Sequence, residues 1–389
     1  MGRVNSRADR QRDDACPGAL HVHQAADGAL ARIRLPGGMI NAPQLAALAH
    51  AATQHGSGTW ELTTLCNVQL RGVTGTDAVA DAAAEAGLLP SATHERIRNI
   101  VSSPLSGRVG SASGRVGSFA DVRPLVGELD RALQSDPDLA ALPGRFLFGI
   151  DDGRADISGL GADIGVHAVD DRAALVMCGS DTGVRVDRDE AATSLLTVAR
   201  RFVAARGSAW RISELDRPDA LLRGFHVTAA DRCDFDPVSR PPVGWIPQDD
   251  GKVALGAVVP LGVLSARQAE FLAAIEAPVV ITPWRSLLVC DLDEGVADAS
   301  LRVLAPLGLV FDANSPWLDV SACVGTPGCE RSRADVRAEA VRIADDGAAG
   351  GRVHYVGCER ACGSPPTGAV IVATGDGFTP LRSGPDPRP

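Results

Sequence analysis

Cys323-Val-Gly-Thr-Pro-Gly-Cys329 and, further on, Cys358-Glu-Arg-Ala-Cys362 decide how this chain is read. The spacings are C-x5-C and C-x3-C, with Gly or Pro inside or beside each pair. Such residues let backbone wrap closely around a compact group and turn its amide N–H groups inward. Four thiolates so arranged suit an iron–sulfur cluster, which cysteine holds and hydrogen bonds to sulfur tune. Between the pairs, residues 330–344 carry Val336, Ala340 and Ile343 at helical spacing. A helix there starts just after Cys329 and sets free N–H groups and its positive end beside an anionic cluster, with Thr326 and Ser332 as further donors. Two other readings stand at this point, structural or disulfide-bonded cysteines and a structural zinc. Zinc knuckles are usually narrower than C-x5-C, and disulfides need an oxidising compartment.

The 389 residues suffice for two or three domains. A net charge of −10 speaks against a nucleic-acid partner or an acidic membrane surface. Lys252 is the single lysine, so positive charge comes from arginine, whose planar fork suits carboxylates and phosphates. Cys16, Cys66, Cys178, Cys233 and Cys290 are scattered. No signal-peptide pattern or membrane-length apolar run accompanies them, and the expected location is a reducing cytoplasm.

The segments around residues 29–90 and 237–314 repeat one another. In the first, an alternating strand (Leu30 to Leu35) meets Pro36-Gly37-Gly38, and Asn41 caps a helix opening with Pro43. The stretch Thr59 to Arg71 then reads as one strand with a polar bend, followed by a helix from Asp77 to Gly87. The second segment has a strand from Val253, a turn at Pro260-Leu261-Gly262, and a helix from Ser265 to Glu276 in which Ala266-Arg-Gln matches Ala42-Pro-Gln. A bent strand follows from Pro278 to Val289, with Thr282 against Thr63 or Thr64, and then a helix from Asp298 to Gly308. Two such halves imply a pseudo-two-fold module whose bent strands face one cleft.

Between the repeats, Arg96, Arg98, Asn99, Ser102 and Ser103 form a polar segment suited to an oxyanion-rich ligand or to solvent, and Gly110 to Gly117 is Gly/Ser-rich. Helices are expected at Arg123–Leu139 and Glu190–Arg206. Antiparallel strands are expected at Phe146–Ile150, Asp156–Ser158, Asp163–Val169 and Ala174–Cys178. Pro-rich residues 237–247 read as a linker, and Val353–Val356 and Gly368–Ala373 as strands flanking the last cysteine pair.

These residues resemble the nitrite/sulfite reductase superfamily, and within it the precorrin-3B synthase branch of aerobic cobalamin biosynthesis. The resemblance runs from about residue 29 onward. It rests on Leu35-Pro-Gly-Gly38, Asn67-Val-Gln-Leu-Arg-Gly72, Arg96-Ile-Arg-Asn-Ile-Val-Ser-Ser-Pro-Leu-Ser-Gly, Thr282-Pro-Trp-Arg-Ser, the cysteine pairs and Val372-Ala-Thr-Gly-Asp-Gly. It implies an α+β fold in which two ferredoxin-like half repeats pair into one module, completed by two α/β lobes, the C-terminal one carrying an iron–sulfur cluster. The expected divisions are a partly disordered tail 1–28, half repeats at 29–90 and 237–314, a central lobe 91–236 and a cluster lobe 315–389.

The resemblance also implies a 4Fe–4S cluster on Cys323, Cys329, Cys358 and Cys362. In the reductases the last cysteine bridges to sirohaem; the synthase branch implies a mononuclear non-haem iron in its place. The implied reaction hydroxylates precorrin-3A with dioxygen and closes a γ-lactone, with reductant from NAD(P)H directly or through an electron-donor protein. A poly-carboxylate tetrapyrrole needs several positive forks. The candidates are Arg34, Arg71, Arg96, Arg98 and Arg285, with Asn67, Gln69 and Asn99 as neutral donors. Relatives often carry arginine after Thr63-Thr64, where this chain has Leu65, which puts one anion contact in doubt. No 2-His-1-carboxylate spacing stands out for a second iron, His21-Val-His23 being the nearest pair. The competing functions are a sirohaem-dependent nitrite or sulfite reductase and a non-catalytic tetrapyrrole-binding or electron-transfer protein.

Overall fold

The computed structural model describes residues 14, 16–110, 121–227, 232–236, 238, 240–347, 350–365 and 367–382. Residues 1–13 and 15 of the expected N-terminal tail, residues 111–117 of the Gly/Ser-rich stretch with 118–120 after it, and the terminal residues 383–389 lie outside the described residues.

The first half begins with β1 (His23–Ala25) and β2 (Gly28–Ile33), then turns at Pro36-Gly37-Gly38 into β3 (Met39–Ile40). Gly38 has φ +71, and a Cβ there would lie 1.9 Å from the Ile281 carbonyl oxygen. Only glycine fits where the halves touch. Helix α1 (Ala42–His55) opens with a reciprocal capping box between Asn41 and Gln44. β4 (Thr59–Leu62), β5 (Val68–Val73) and α2 (Thr76–Glu85) complete this half.

The bent strand expected over 59–71 is therefore a hairpin, with Trp60 opposite Leu70 and Leu62 opposite Val68. The polar residues close its turn. The Thr63 N–H donates to the Asn67 carbonyl at 2.9 Å, and the Asn67 N–H donates to Thr63 Oγ1 at 3.0 Å.

After the central lobe, the second half repeats the order. Following the edge strand β11 (Gly244–Pro247) come β12 (Val253–Val258), β13 (Val263–Ser265), α5 (Ala266–Ala274), β14 (Val279–Ile281), β15 (Ser286–Leu292) and α6 (Glu294–Leu304). Ser265 and Gln268 form the matching capping box. Residues 244–247, expected in a linker, pair along β12.

Two five-stranded sheets result, β1-β2-β5-β4-β13 and β11-β12-β15-β14-β3. Each half lends a short strand to the other's sheet. β3 pairs with β14 (Ile40 opposite Val279), and β13 pairs with β4 (Leu264 opposite Trp60). One core runs through both halves, with Leu45, Leu48, Trp60, Leu264, Leu272 and Leu287 fully buried. Each such leucine contributes roughly 1.5–3 kcal/mol, so the halves stand or fall together.

The central lobe is a sheet of order β10-β9-β8-β7-β6. Its strands are β6 (Ile100–Ser102), β7 (Phe148–Asp151), β8 (Ile164–Val169), β9 (Arg172–Met177) and β10 (Ser180–Val186), with α3 (Arg123–Gln134) and α4 (Ala191–Ala205) packed on it. Contrary to expectation, β7 runs parallel to both β6 and β8. The crossovers on either side of it are long enough for parallel pairing. Asp156–Ser158 lies within the second crossover as turn and 3-10 backbone, and is not a strand.

The C-terminal lobe is a four-stranded sheet, β16 (Val320–Ala322), β17 (Val353–Val356), β18 (Ala369–Ala373) and β19 (Phe378–Arg382), with α7 (Val336–Asp345) against one face. Helix α7 starts six residues later than expected. Backbone bonds from Thr326 to Ala334, Ser332 to Cys329 and Arg333 to Gly357 draw the preceding segment away from helical pairing. Its first turn is capped by Asp335, whose carboxylate accepts from Arg337 and Ala338 N–H. The free helix end expected beside Cys329 is thus displaced and already occupied.

Candidate functional site

Parallel strands β16 and β17 deliver the two cysteine pairs. Cys323 follows β16, and its N–H donates to the Tyr355 carbonyl on β17 at 2.9 Å. Cys358 and Cys362 follow β17 directly. The Gly357 N–H donates to Cys323 Sγ at 3.3 Å. All four thiols are free; Cys362 is exposed and the others half-buried. Burial raises the Cys362 pKa, Arg360 opposes, and nearby Cys323, Cys358 and Cys329 add to the rise.

Their spacing bears on the rival readings. No disulfide forms among the nine cysteines. Among the described residues, no three of these sulfurs lie mutually within 4.8 Å. A zinc tetrathiolate with bonds of about 2.3 Å would hold its sulfurs only about 3.8 Å apart. A multi-iron cluster, with each sulfur on a different iron, would ask for a wider set than zinc does.

Beside the lobe lies an open cleft of about 380 Å³. Both hairpin turns border it, the first through Thr64 and Leu65 and the second through Pro283, Trp284 and Arg285. Leu147 and Leu160 extend an apolar wall from the central lobe, while Gly363, Ser364 and Pro365 bring the segment after Cys362 to the rim. Arg211 and Arg352 also line it. Burial depresses the pKa of Arg285, partly offset by Glu61 and Cys323.

Of the eight side chains nominated from sequence, Arg285 lines this cleft; the others do not. Arg34 is buried, donating to the Arg96 carbonyl at 3.2 Å and to Cys16 Sγ at 3.4 Å. Burial depresses its pKa to about 10. Arg71 makes two 2.8 Å bonds to Asp27 and a third to the Gly328 carbonyl, one residue before Cys329. Arg96 donates to the Asp14 carbonyl at 3.1 Å. Arg98 pairs bidentately with Asp130 at 2.7 and 2.8 Å. Asn67 bridges the Leu35 N–H and Asn99 Oδ1, and Asn99 in turn donates to the Gly144 and Phe146 carbonyls. Gln69 accepts from Arg32 and donates to Glu61.

Sequence reasoning missed Arg211 and Arg352. Arg352 carried a signal, since it immediately precedes the strand leading to Cys358. His354, on that strand, is fully buried, and burial depresses its pKa to about 4.

Among the described residues, no two-histidine, one-carboxylate set has its ligand atoms mutually within 4.8 Å. His21 turns to Glu95 at 2.7 Å. Among the described residues, the sole set of three or more His, Cys, Asp or Glu with ligand atoms mutually within 4.8 Å is Asp151, Asp152 and Asp156. These carboxylates organise their own loop. Asp151 accepts from the N–H groups of Gly153, Ala155, Ile157 and Ser158, Asp152 from Arg154, and Asp156 from Ser103.

The nitrite/sulfite reductase ferredoxin-like half domain matches residues 21–86. A precorrin-3B synthase of a Sinorhizobium species is 26% identical over 395 aligned positions, covering 94% of this chain and 82% of that one. The resemblance to precorrin-3B synthase holds. The solved structure of the Mycobacterium tuberculosis NirA protein superposes with TM-score 0.72 at 19% identity, covering 92% of this chain and 76% of that one. The architecture is thus that of the nitrite/sulfite reductases, with ferredoxin-like sheets, and the precorrin-3B synthase likeness spans both halves and both lobes. Among the described residues, no helix is long and apolar enough to cross a membrane.

Proposed function

We propose that this chain is a precorrin-3B synthase-like monooxygenase, hydroxylating precorrin-3A with dioxygen and closing the γ-lactone. The observation carrying the reading is the meeting of Arg285 and the segment after Cys362 on one cleft. Arg285 and Arg352 would pair with substrate carboxylates, Arg211 being held by Asp163 at 2.6 Å, and Leu65, Leu147 and Leu160 would cover the macrocycle and exclude water. Cys323, Cys329, Cys358 and Cys362 would hold a 4Fe–4S cluster, which supplies electrons one at a time when bound. In balance, one oxygen atom of dioxygen enters the substrate. The other leaves as water with two protons and two electrons, which come ultimately from NAD(P)H, with or without an electron-donor protein.

The reading keeps the divisions expected from sequence, half repeats over 29–90 and 237–314, a central lobe over 91–236 and a cluster lobe over 315–389, except that β1 (His23–Ala25) moves the start of the first half back into the expected tail. Of the residues nominated from sequence, Arg285 is assigned to substrate. Arg34, Arg71, Arg96, Arg98, Asn67, Gln69 and Asn99 are assigned to the scaffold behind the cleft. A cytoplasmic location accompanies the reading. No step is assigned to a mononuclear iron.

Leu65 lies on the cleft in place of the arginine that relatives often carry after Thr63-Thr64, and it counts against a sirohaem-dependent reductase. The test is anaerobic purification with iron, sulfide and extractable-tetrapyrrole assays, then incubation with precorrin-3A and dioxygen. About four iron and four sulfide per chain, no tetrapyrrole, and a product heavier by one oxygen atom are expected. Bound sirohaem would move the reading to a reductase; an intact cluster without product would leave a binding or electron-transfer protein.

A further inference from the structure

Strand alternation sorts β16 and β17 into two faces. Val320, Ala322 and Tyr355 belong to the core beneath α7. Ser321 and His354 lie between these residues in sequence, so they point to the opposite face, and they are register partners in the parallel pair. The His354 ring is fully buried there. Its Nδ1 lies 2.8 Å from Ser321 Oγ, and its Nε2 lies 3.0 Å from the Cys362 carbonyl oxygen. A carbonyl can only accept, so Nε2 carries the proton and Nδ1 accepts from the serine hydroxyl.

The imidazole thus joins three places. Ser321 lines the cleft, His354 fills the interior, and Cys362 sits between two left-handed residues, Ala361 (φ 51) and Gly363 (φ 77). Gly363 packs against the ring; a Cβ there would lie 3.7 Å from it. Cys362 is the exposed member of the four, and the segment beyond it reaches the cleft. Its flanking backbone therefore needs an internal anchor, and the His354 N–H supplies one.

We propose that His354, oriented by Ser321, is a positioning residue that fixes the peptide of Cys362 and thereby couples the cleft to the electronic state of the group the cysteines hold. The proposal rests on the cluster reading above. Groups that orient a metal ligand tune its metal even without touching it.

The experiment compares wild type with His354→Leu, His354→Gln and Ser321→Ala, first confirming iron and sulfide in the wild type. In cluster-bearing protein, His354→Leu is expected to shift the midpoint potential and the electron paramagnetic resonance spectrum at unchanged iron content. His354→Gln, which retains an N–H donor, should restore much of both, and Ser321→Ala should fall between. An unchanged potential and spectrum in His354→Leu would overturn the proposal. If the wild type holds no cluster, the cluster reading fails alone. Alkylation of Cys362 relative to Cys358 in the metal-free protein then decides: a rate change of about fivefold in His354→Leu, the population shift expected from one lost hydrogen bond, supports the positioning role. Equal rates refute it. Should His354→Leu not fold, Ser321→Ala carries the same comparisons.

Discussion

Cys66 and Arg285 occupy the same place in two related hairpin turns. Each is left-handed, with φ 58 and 56, and each donates its N–H to a threonine carbonyl at 3.1 Å, Thr63 in one half and Thr282 in the other. Around them the turns have diverged. Cys66 is buried with Leu65, Val101, Leu147 and Ile157, while Arg285 lines the cleft with Trp284. The two turns thus bring an apolar wall and a charged one to the same cleft, an arrangement suited to a ligand with a flat face and carboxylate edges.

Removing the charged wall should weaken ligand binding without touching the cysteines. Arg285→Gln is expected to lower affinity for a poly-carboxylate tetrapyrrole by roughly tenfold to a hundredfold, the loss of one charge-assisted pair. Fluorescence titration with a carboxylated porphyrin measures it, alongside iron and sulfide content. Unchanged affinity would remove Arg285 from the site.

Much of this was legible in the sequence, and the gaps have physical causes. The capping boxes, the Pro-Gly-Gly turn and the Ala42/Ala266 match exposed the repeat, because caps and turns use local chemistry. The hairpins were hidden, since Trp60, Leu62, Val68 and Leu70 alternate equally well along one bent strand. The strand exchange was hidden too, because β3 and β13 are only two and three residues long. Arginine identity likewise did not say which forks meet ligand: Arg98 and Arg71 have carboxylate partners within the fold, Asp130 and Asp27.

Arg71 ties the first half to the cysteine lobe through Asp27 and the Gly328 carbonyl. Arg71→Met should strip both acceptors of their partner and destabilise the protein by about 2–3 kcal/mol. The same change should loosen the Cys329 segment. Chemical denaturation and the alkylation rate of Cys329 in metal-free protein check the two effects. A variant as stable as wild type would show the bridge to be incidental.

The cysteine assignment makes an ordered prediction. Cys329→Ser should lose most iron and sulfide, because oxygen is a poorer soft-metal ligand than thiolate. Cys66→Ser, at the buried turn position, should retain them. Full iron and sulfide in Cys329→Ser would contradict the ligand set; loss in Cys66→Ser alone would relocate it.

A last prediction concerns pH and the carboxylates behind the first hairpin. Burial, and then Asp151, push the Asp156 pKa up to about 7, against bonds from Ser103 and attraction to Arg154. Although burial also opposes ionisation of Asp151, His167 and the backbone N–H groups hold it down to about 2. The folded state therefore retains a proton on Asp156 that the unfolded chain releases near pH 4. Stability from this group is complete below pH 4, declines as pH rises toward 7, and is lost above it. Asp151 acts oppositely, losing its contribution as pH falls from about 4 toward 2. Asp156→Asn keeps an acceptor for the Ser103 hydroxyl and removes the ionisation. It should match wild type near pH 4 and exceed it at pH 8, by on the order of 2–4 kcal/mol. Denaturation curves for both proteins from pH 4 to 8 measure the gap, and a gap that does not widen with pH would show that Asp156 ionises freely in the fold.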